Sequence, residues 1–231
     1  MADPPEPRVR STLERVSDPG YGVNDWLDPR TWRRNFGERA LPAYLLVLLF
    51  IGVFIAEWFS GGPVAWGLST EALAAGRWHT LLAHMAAHGG IAHLWMNSSA
   101  LLALTSPLMM QLGPAARAWP RYLLLFLGAG LTGAAVYLAI NWDGGLPMVG
   151  ASGAIFGLWG ALTRLGPDGE ITPLRSRRVW LNVRQFVVIN VVLFALLFFM
   201  SAGQGGLAWE SHLGGFVFGL LVGPMLADRS Q

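Results

Sequence analysis

Six apolar segments, separated by polar or glycine-rich stretches, dominate the sequence from residue 41 onward. Crossing a hydrocarbon core of about 30 Å takes roughly 20 apolar residues in a helix, and most of these segments reach or approach that length. The chain is 53% hydrophobic and only 13% charged, whereas soluble domains are about 25% charged. The sequence therefore predicts an all-α, polytopic membrane protein with six transmembrane helices at 41–59, 91–112, 119–140, 152–163, 186–200 and 207–226.

The arginines are distributed unevenly around these segments. All 16 basic residues are arginine, and every one except Arg77 falls on the same side of the membrane if the chain crosses it six times. Because loops rich in arginine stay in the cytoplasm, this pattern predicts that both termini are cytoplasmic. The apolar segments divide the chain into an N-terminal tail (1–40), a membrane domain (41–226) and a short C-terminal tail (227–231). The lack of lysine and the abundance of Ala, Gly and Arg favour a GC-rich bacterial genome, so we expect a protein of the bacterial inner membrane.

Composition also excludes several kinds of chemistry. The absence of cysteine removes thiol nucleophiles, and the absence of lysine removes Schiff-base and Ser/Lys mechanisms. A net charge of +2 does not indicate a nucleic-acid partner. A G-x-G-x-x-G pattern at 128–133 lies in the middle of the third segment, where close helix packing is a better interpretation than a dinucleotide site.

Ser152 is the strongest candidate for a reactive residue. It follows a glycine-containing loop and begins the fourth segment, which is too short to cross the membrane because 12 residues rise only about 18 Å. The helix is therefore predicted to start at membrane depth, where its free N–H groups and partial positive charge suit a developing oxyanion. The alternative is that Ser152 only caps the helix, since serine is a preferred N-cap.

His212 lies in the sixth segment at a depth close to that of Ser152, judged from the rise of about 1.5 Å per residue. Both segments carry small residues on one face, at positions 153, 157 and 160 and at positions 215, 219 and 223. Helices with small faces approach closely, so the two side chains are expected to meet. A histidine base beside a serine is the usual activation of a hydroxyl nucleophile. The alternative is a structural histidine bonded to a backbone carbonyl.

His93 and Asn97 are four residues apart, so they share one helix face in the second segment. At the depth of Ser152, their side chains could stabilise an oxyanion together with the Ser152 N–H. A zinc site formed by His84, His88 and His93 is the competing interpretation. It is disfavoured because the sequence has no HExxH motif and offers no carboxylate base beside these histidines.

Gly150-Ala151-Ser152-Gly153, the His93-to-Asn97 spacing, His212 with its paired glycines and the six-span pattern together resemble the rhomboid intramembrane serine proteases. The resemblance covers about residues 41–226. It implies a catalytic dyad of Ser152 and His212 without a carboxylate, and an oxyanion hole formed by His93, Asn97 and the Ser152 amide. It also implies that transmembrane proteins are cleaved near the outer side of the bilayer, without a cofactor.

The resemblance further implies that the loop between spans one and two is half buried in the outer leaflet, and that His88 braces the fold. One departure is visible, since many members have a Trp-Arg pair where this chain has Trp78-His79. Two alternatives from other classes are a rhomboid-like pseudoprotease that binds membrane clients without cleaving them, and a small channel or transporter.

The end of the fifth segment predicts a route for substrate entry. Bulky side chains at Phe194, Phe198, Phe199 and Met200 precede a glycine-rich stretch at 201–206, a composition expected of a gate that must move. On this hypothesis the aromatic rings pack against a neighbouring helix. The alternative is that they are ordinary side chains facing lipid.

Overall fold

The computed structural model describes residues 37–166, 170–200 and 206–228. Within these ranges the chain is helical, with two isolated β-bridges and no extended strand. Most of the predicted N-terminal tail (1–36) and the last three residues (229–231) lie outside the described residues. The α-helices are α1 (Glu38–Glu57), α2 (Thr70–Ala74), α3 (Thr80–Ala83), α4 (Ile91–Gln111), α5 (Ala115–Ile140), α6 (Ser152–Arg164), α7 (Arg177–Met200) and α8 (Trp209–Leu226), with a 3-10 turn at Pro63–Ala65.

Helix α6 lies at the centre of the bundle. It packs against α4, α5 and α8, while α1 packs on α4 and α7 packs on the outside of α6. Among the described residues, three helical stretches are long and apolar enough to cross a membrane by themselves, at Arg39–Glu57, Ala115–Ile140 and Arg177–Phe199. Helix α6 has 13 residues and is therefore only about 20 Å long, shorter than a hydrocarbon core of about 30 Å.

Helix α7 begins at Arg177, nine residues before the predicted start of the fifth segment at 186. The prediction followed only the apolar residues and missed two polar interactions that hold the first turns. The guanidinium of Arg178 donates to the carbonyls of Leu162 (2.9 Å) and Leu165 (3.0 Å) at the end of α6. The hydroxyl of Ser176 accepts from the N–H of Val179 at 3.2 Å.

The long segment between α1 and α4 is pinned to the loop that precedes α6. Leu68 and Met148 exchange both backbone hydrogen bonds, at 2.9 and 2.8 Å, and the N–H of Gly150 donates to the carbonyl of His84 at 2.8 Å. Gly150 has φ +114°, a conformation that side-chain-bearing residues rarely adopt. These contacts fix the direction from which the chain enters α6 at Ser152.

Candidate active site

Ser152 is the first residue of α6, and its neighbour Ala151 is the N-cap. No side-chain hydrogen bond caps this helix, so Ser152 does not have the capping role considered from the sequence. Its hydroxyl instead lies 2.7 Å from Nε2 of His212. Because Ser152 opens the helix, its backbone N–H has no partner within α6 and points toward the same end of the helix.

Close contact between α6 and α8 brings these two side chains together. A Cβ atom on Gly215 would overlap the carbonyl oxygen of Gly153, and one on Gly219 would overlap that of Gly157. The glycine faces predicted from the sequence therefore meet, and the helix backbones are in direct contact along this line. His212 stands one turn above Gly215 and is only 2% exposed.

The second nitrogen of His212 contacts a residue that the sequence analysis did not single out. Nδ1 of His212 lies 2.7 Å from Oδ1 of Asn190 on α7. Since an amide oxygen can only accept, Nδ1 carries the proton and Nε2 is free to accept from the Ser152 hydroxyl. The reasoning that selected Asn97, a polar side chain in an apolar segment, applies equally to Asn190 and would have found it.

The imidazole of His212 is also held from the side. The ring of Phe156, one turn below Ser152 on α6, lies against it with centroids 4.4 Å apart and planes tilted by 32°. Phe156 in turn makes an edge-on contact with Phe186 of α7 at 5.3 Å. The aromatic contact restricts rotation of the histidine while leaving both ring nitrogens to their hydrogen bonds.

His93 and Asn97 of α4 converge on the residue two positions before Ser152. A Cβ atom on Gly150 would lie 2.7 Å from Nε2 of His93 and 3.3 Å from Nδ2 of Asn97. Asn97 is 6% exposed, and its Nδ2 has no hydrogen-bond partner among the described residues. Asn97 therefore presents a buried amide donor, beside a candidate nucleophile, that a bound substrate atom could accept from.

His88 and Glu57 tie the long loop to α1. Oε1 of Glu57, at the end of α1, accepts from the backbone N–H of His88 at 2.8 Å. The His88 ring lies between those of Phe50 and His93, with both centroid distances at 5.1 Å. Burial, with a smaller repulsion from His93, lowers the pKa of His88 to about 4. The ring is therefore neutral at physiological pH.

The histidines considered for zinc have other surroundings. Nδ1 of His84 pairs with the carbonyl of Thr80 at 2.9 Å, and Nδ1 of His88 pairs with that of Ala86 at 3.0 Å. In the part of the chain that the structure describes, no group of three or more His, Cys, Asp or Glu side chains could hold a metal ion.

The aromatic residues proposed as a gate are placed differently from the hypothesis. Phe194, Phe198 and Phe199 are 47, 44 and 80% exposed, and Phe198 makes ring contacts with both Phe194 and Phe199. The expectation that Phe199 packs against a neighbouring helix is wrong. The aromatic side chain through which α7 packs on the bundle is Phe186, which is 7% exposed. The side chain of Met200 and residues 201–205 lie outside the described residues.

Comparisons with known proteins match most of the chain. A family model for the rhomboid domain matches residues 75–229. The chain is 30% identical over 190 residues to the rhomboid protease GluP of Bacillus subtilis, which covers 79% of this chain and 34% of that protein. It is 28% identical over 160 residues to the putative rhomboid protease YdcA of the same organism, covering 69% and 72% of the two chains.

A plant relative is similar over a shorter stretch. RHOMBOID-like protein 4 of Arabidopsis thaliana is 30% identical over 150 residues, covering 62% of this chain and 32% of that protein. The chain thus spans about a third of the length of GluP and of the plant protein.

Proposed function

Because the chain belongs to the rhomboid family, we propose that this integral membrane protein is a serine endopeptidase that cleaves transmembrane proteins near the outer side of the bilayer. The observation that carries the proposal is the 2.7 Å contact between the Ser152 hydroxyl and Nε2 of His212. A serine held by a neutral histidine, at the start of a helix and beside an unpaired amide, has the parts that acyl transfer requires.

In the proposed reaction, Ser152 Oγ attacks the carbonyl carbon of the scissile peptide bond while His212 Nε2 takes the hydroxyl proton. The resulting imidazolium then gives this proton to the nitrogen of the leaving amine as the C–N bond breaks, which leaves an acyl ester on Ser152. Water, activated by the same histidine, hydrolyses the ester and restores the serine. Every step uses groups of this chain and water, so no cofactor is required.

The oxyanion that forms in both steps needs hydrogen-bond donors. We assign these to the backbone N–H of Ser152, the side-chain amide of Asn97 and the imidazole of His93. The convergence of His93 and Asn97 on Gly150 supports this assignment, as does the unpaired Nδ2 of Asn97. Donors of this kind act only when charge develops on the substrate oxygen, and each is worth about 10²–10³ in rate.

The proposed topology has six spans, with the tail (1–40) and the C-terminal residues (227–231) in the cytoplasm around a membrane domain at 41–226. The loop between α1 and α4 would lie half buried in the outer leaflet of a bacterial inner membrane. This is supported by its exposed apolar side chains, since Trp58, Val64, Trp78 and Leu82 are 79, 57, 64 and 56% exposed. Aromatic side chains of this kind favour the membrane interface.

Because the chain has no cysteine, single introduced cysteines test this orientation directly. In intact bacterial cells, a membrane-impermeant maleimide is expected to label Asp143→Cys, which lies after α5, and to label Arg175→Cys only after lysis. Labelling of Arg175→Cys in intact cells would show that the chain has the opposite orientation in the membrane.

The proposed activity is tested with purified protein in detergent or liposomes. A fluorophosphonate probe is expected to label wild-type protein at Ser152, and a panel of single-span membrane proteins should contain at least one that is cleaved. Ser152→Ala and His212→Ala are each expected to remain folded and lose nearly all cleavage, because the two residues act as a unit. Binding of panel members without labelling or cleavage would instead indicate a pseudoprotease.

A further inference from the structure

Helix α7 contacts the rest of the bundle through very few buried residues. Of its described side chains only Val179, Phe186 and Asn190 are buried, and they lie on one face at i, i+7 and i+11. Only 11% of the most apolar 18-residue stretch of α7 is buried, against 39% of the corresponding stretch of α5. Two of the three buried residues are apolar, so Asn190 is the one through which α7 makes a polar contact with the candidate active site.

The amide of Asn190 has a fixed orientation. Its Nδ2 donates to the carbonyl of Phe186 at 2.9 Å, and a backbone carbonyl can only accept. Oδ1 must therefore face His212, where it lies 2.7 Å from Nδ1. The reversed amide would turn its NH₂ group toward Nδ1 of His212 and its oxygen toward the carbonyl of Phe186. The hydrogen bond to Phe186 would then be lost.

This orientation determines which nitrogen of His212 carries the proton. With Asn190 accepting at Nδ1, the Nε2 lone pair faces the Ser152 hydroxyl at 2.7 Å and can take its proton. The other tautomer would carry its proton on Nε2 and could not act as a base toward serine. The same amide oxygen would also stabilise the imidazolium that forms during the reaction.

We propose that Asn190 is a positioning residue that holds His212 in its reactive tautomer, and that it thereby makes the reactivity of Ser152 depend on α7 being seated against α6. This inference rests on the proposed serine protease function. When α7 moves away from the bundle, the Asn190–His212 bond is the contact that breaks at the site. The base is then no longer fixed in its reactive form.

The test compares three variants on α7. Asn190→Leu removes the acceptor but keeps a similar volume, whereas Asn190→Asp keeps an acceptor oxygen in either protonation state. Asn182→Leu is the matched control, since Asn182 also links α7 to α6, through a 2.9 Å bond from Trp159 Nε1, but does not contact His212. If the role is positioning, only the loss of the acceptor at 190 will impair the base.

Asn190→Leu is expected to lower kcat about 10- to 100-fold with little change in KM, because positioned base catalysis is worth about 10²–10⁴ in rate. Asn190→Asp should retain most of the rate, and Asn182→Leu should resemble wild type. Equal rates for Asn190→Leu and wild type would overturn the proposal. An equal loss in an Asn182→Leu protein whose Tm matches wild type would also overturn it, since α7 would then still be seated and the loss would not require the acceptor at position 190.

A second measurement separates this inference from the proposed function. Nitrogen NMR of ¹⁵N-histidine-labelled protein distinguishes a protonated Nδ1 from a protonated Nε2, and His212→Gln identifies the signals of His212. The signal is expected to show Nδ1 protonated in wild type and a mixture of tautomers in Asn190→Leu. This result in a protein without hydrolytic activity would refute the proposed function but retain the positioning role. In a protein that cleaves its substrate, a wild-type signal from protonated Nε2 would refute the positioning role alone.

Discussion

The α-carbon of Gly215 in α8 lies against the carbonyl oxygen of Gly153 in α6, with no room for a Cβ atom between them. The contact stands directly beside the hydrogen bond between Ser152 and His212, because each glycine is within three residues of one partner. The short distance between Ser152 and His212 thus depends on the absence of side chains at these two neighbouring glycines.

Gly215→Ala is expected to destabilise the protein and to separate Ser152 from His212. Forcing a methyl group into a packed interface typically lowers the free energy of unfolding by about 1–3 kcal/mol. Thermal unfolding in detergent should show a lower Tm, and fluorophosphonate labelling should slow. Gly52→Ala in α1 is the control, because a Cβ atom there would meet nothing within 4 Å. A Gly215→Ala variant as stable as Gly52→Ala would contradict the proposed contact.

Replacing the unpaired amide of α4 tests the oxyanion hole. Asn97→Ala is expected to lower turnover by about 10²–10³, since it removes a donor that acts on the developing negative charge. Labelling of Ser152 should persist at a reduced rate, because the nucleophile and its base remain. Loss of folded protein, with turnover per folded molecule unchanged, would show that Asn97 has a structural role only.

The truncation Phe186→Ala tests how α7 is anchored. Phe186 stacks on Phe216 of α8 with centroids 4.6 Å apart and an interplanar angle of 21°. Its removal should free α7, lower the Tm and reduce kcat on a short soluble peptide, since Asn190 would no longer hold His212. Phe199→Ala is the control, because Phe199 is 80% exposed, and it should match wild type. Faster peptide cleavage by Phe186→Ala would argue against a seated α7 as the active form.

The positions of Ser152, His212, His93 and Asn97 could be predicted because depth in a membrane follows from counting residues along a helix. The glycine faces also predicted that the helices now identified as α6 and α8 approach each other closely. The contact of Asn190 with His212 could not be located in the same way, since it depends on how α7 is rotated about its own axis. Aromatic residues gave no guide to that rotation, because Phe186 faces the bundle whereas Phe199 is exposed.

The buried histidines of the long loop predict a loss of stability in acid. Burial lowers the pKa of His88 to about 4 and also lowers the pKa of His84. In the unfolded chain a histidine binds its proton near pH 6.5, so between pH 6.5 and 4 the unfolded state holds more protons. Stability is therefore complete above about pH 6.5 and falls as the pH drops toward 4, by up to roughly 3 kcal/mol for His88.

Thermal unfolding measured between pH 7.5 and 4.5 checks this sign. His88→Gln should flatten the dependence of Tm on pH, because glutamine does not titrate. His79→Gln, in the same loop but with an exposed side chain, is the control and should follow wild type. A wild-type Tm that rises on acidification would refute the linkage.

In the proposed mechanism, the buried amide of Asn97 links the stability of the fold to the rate of the reaction. A buried donor without an acceptor destabilises a fold by about 1–3 kcal/mol, and Nδ2 of Asn97 has no acceptor among the described residues. In that mechanism the substrate oxygen becomes the acceptor of this amide most fully as negative charge develops, so the hydrogen bond that the fold lacks would lower the reaction barrier. Asn97→Leu would then produce a protein that melts at a higher temperature and reacts more slowly, so selection for stability alone would remove this asparagine.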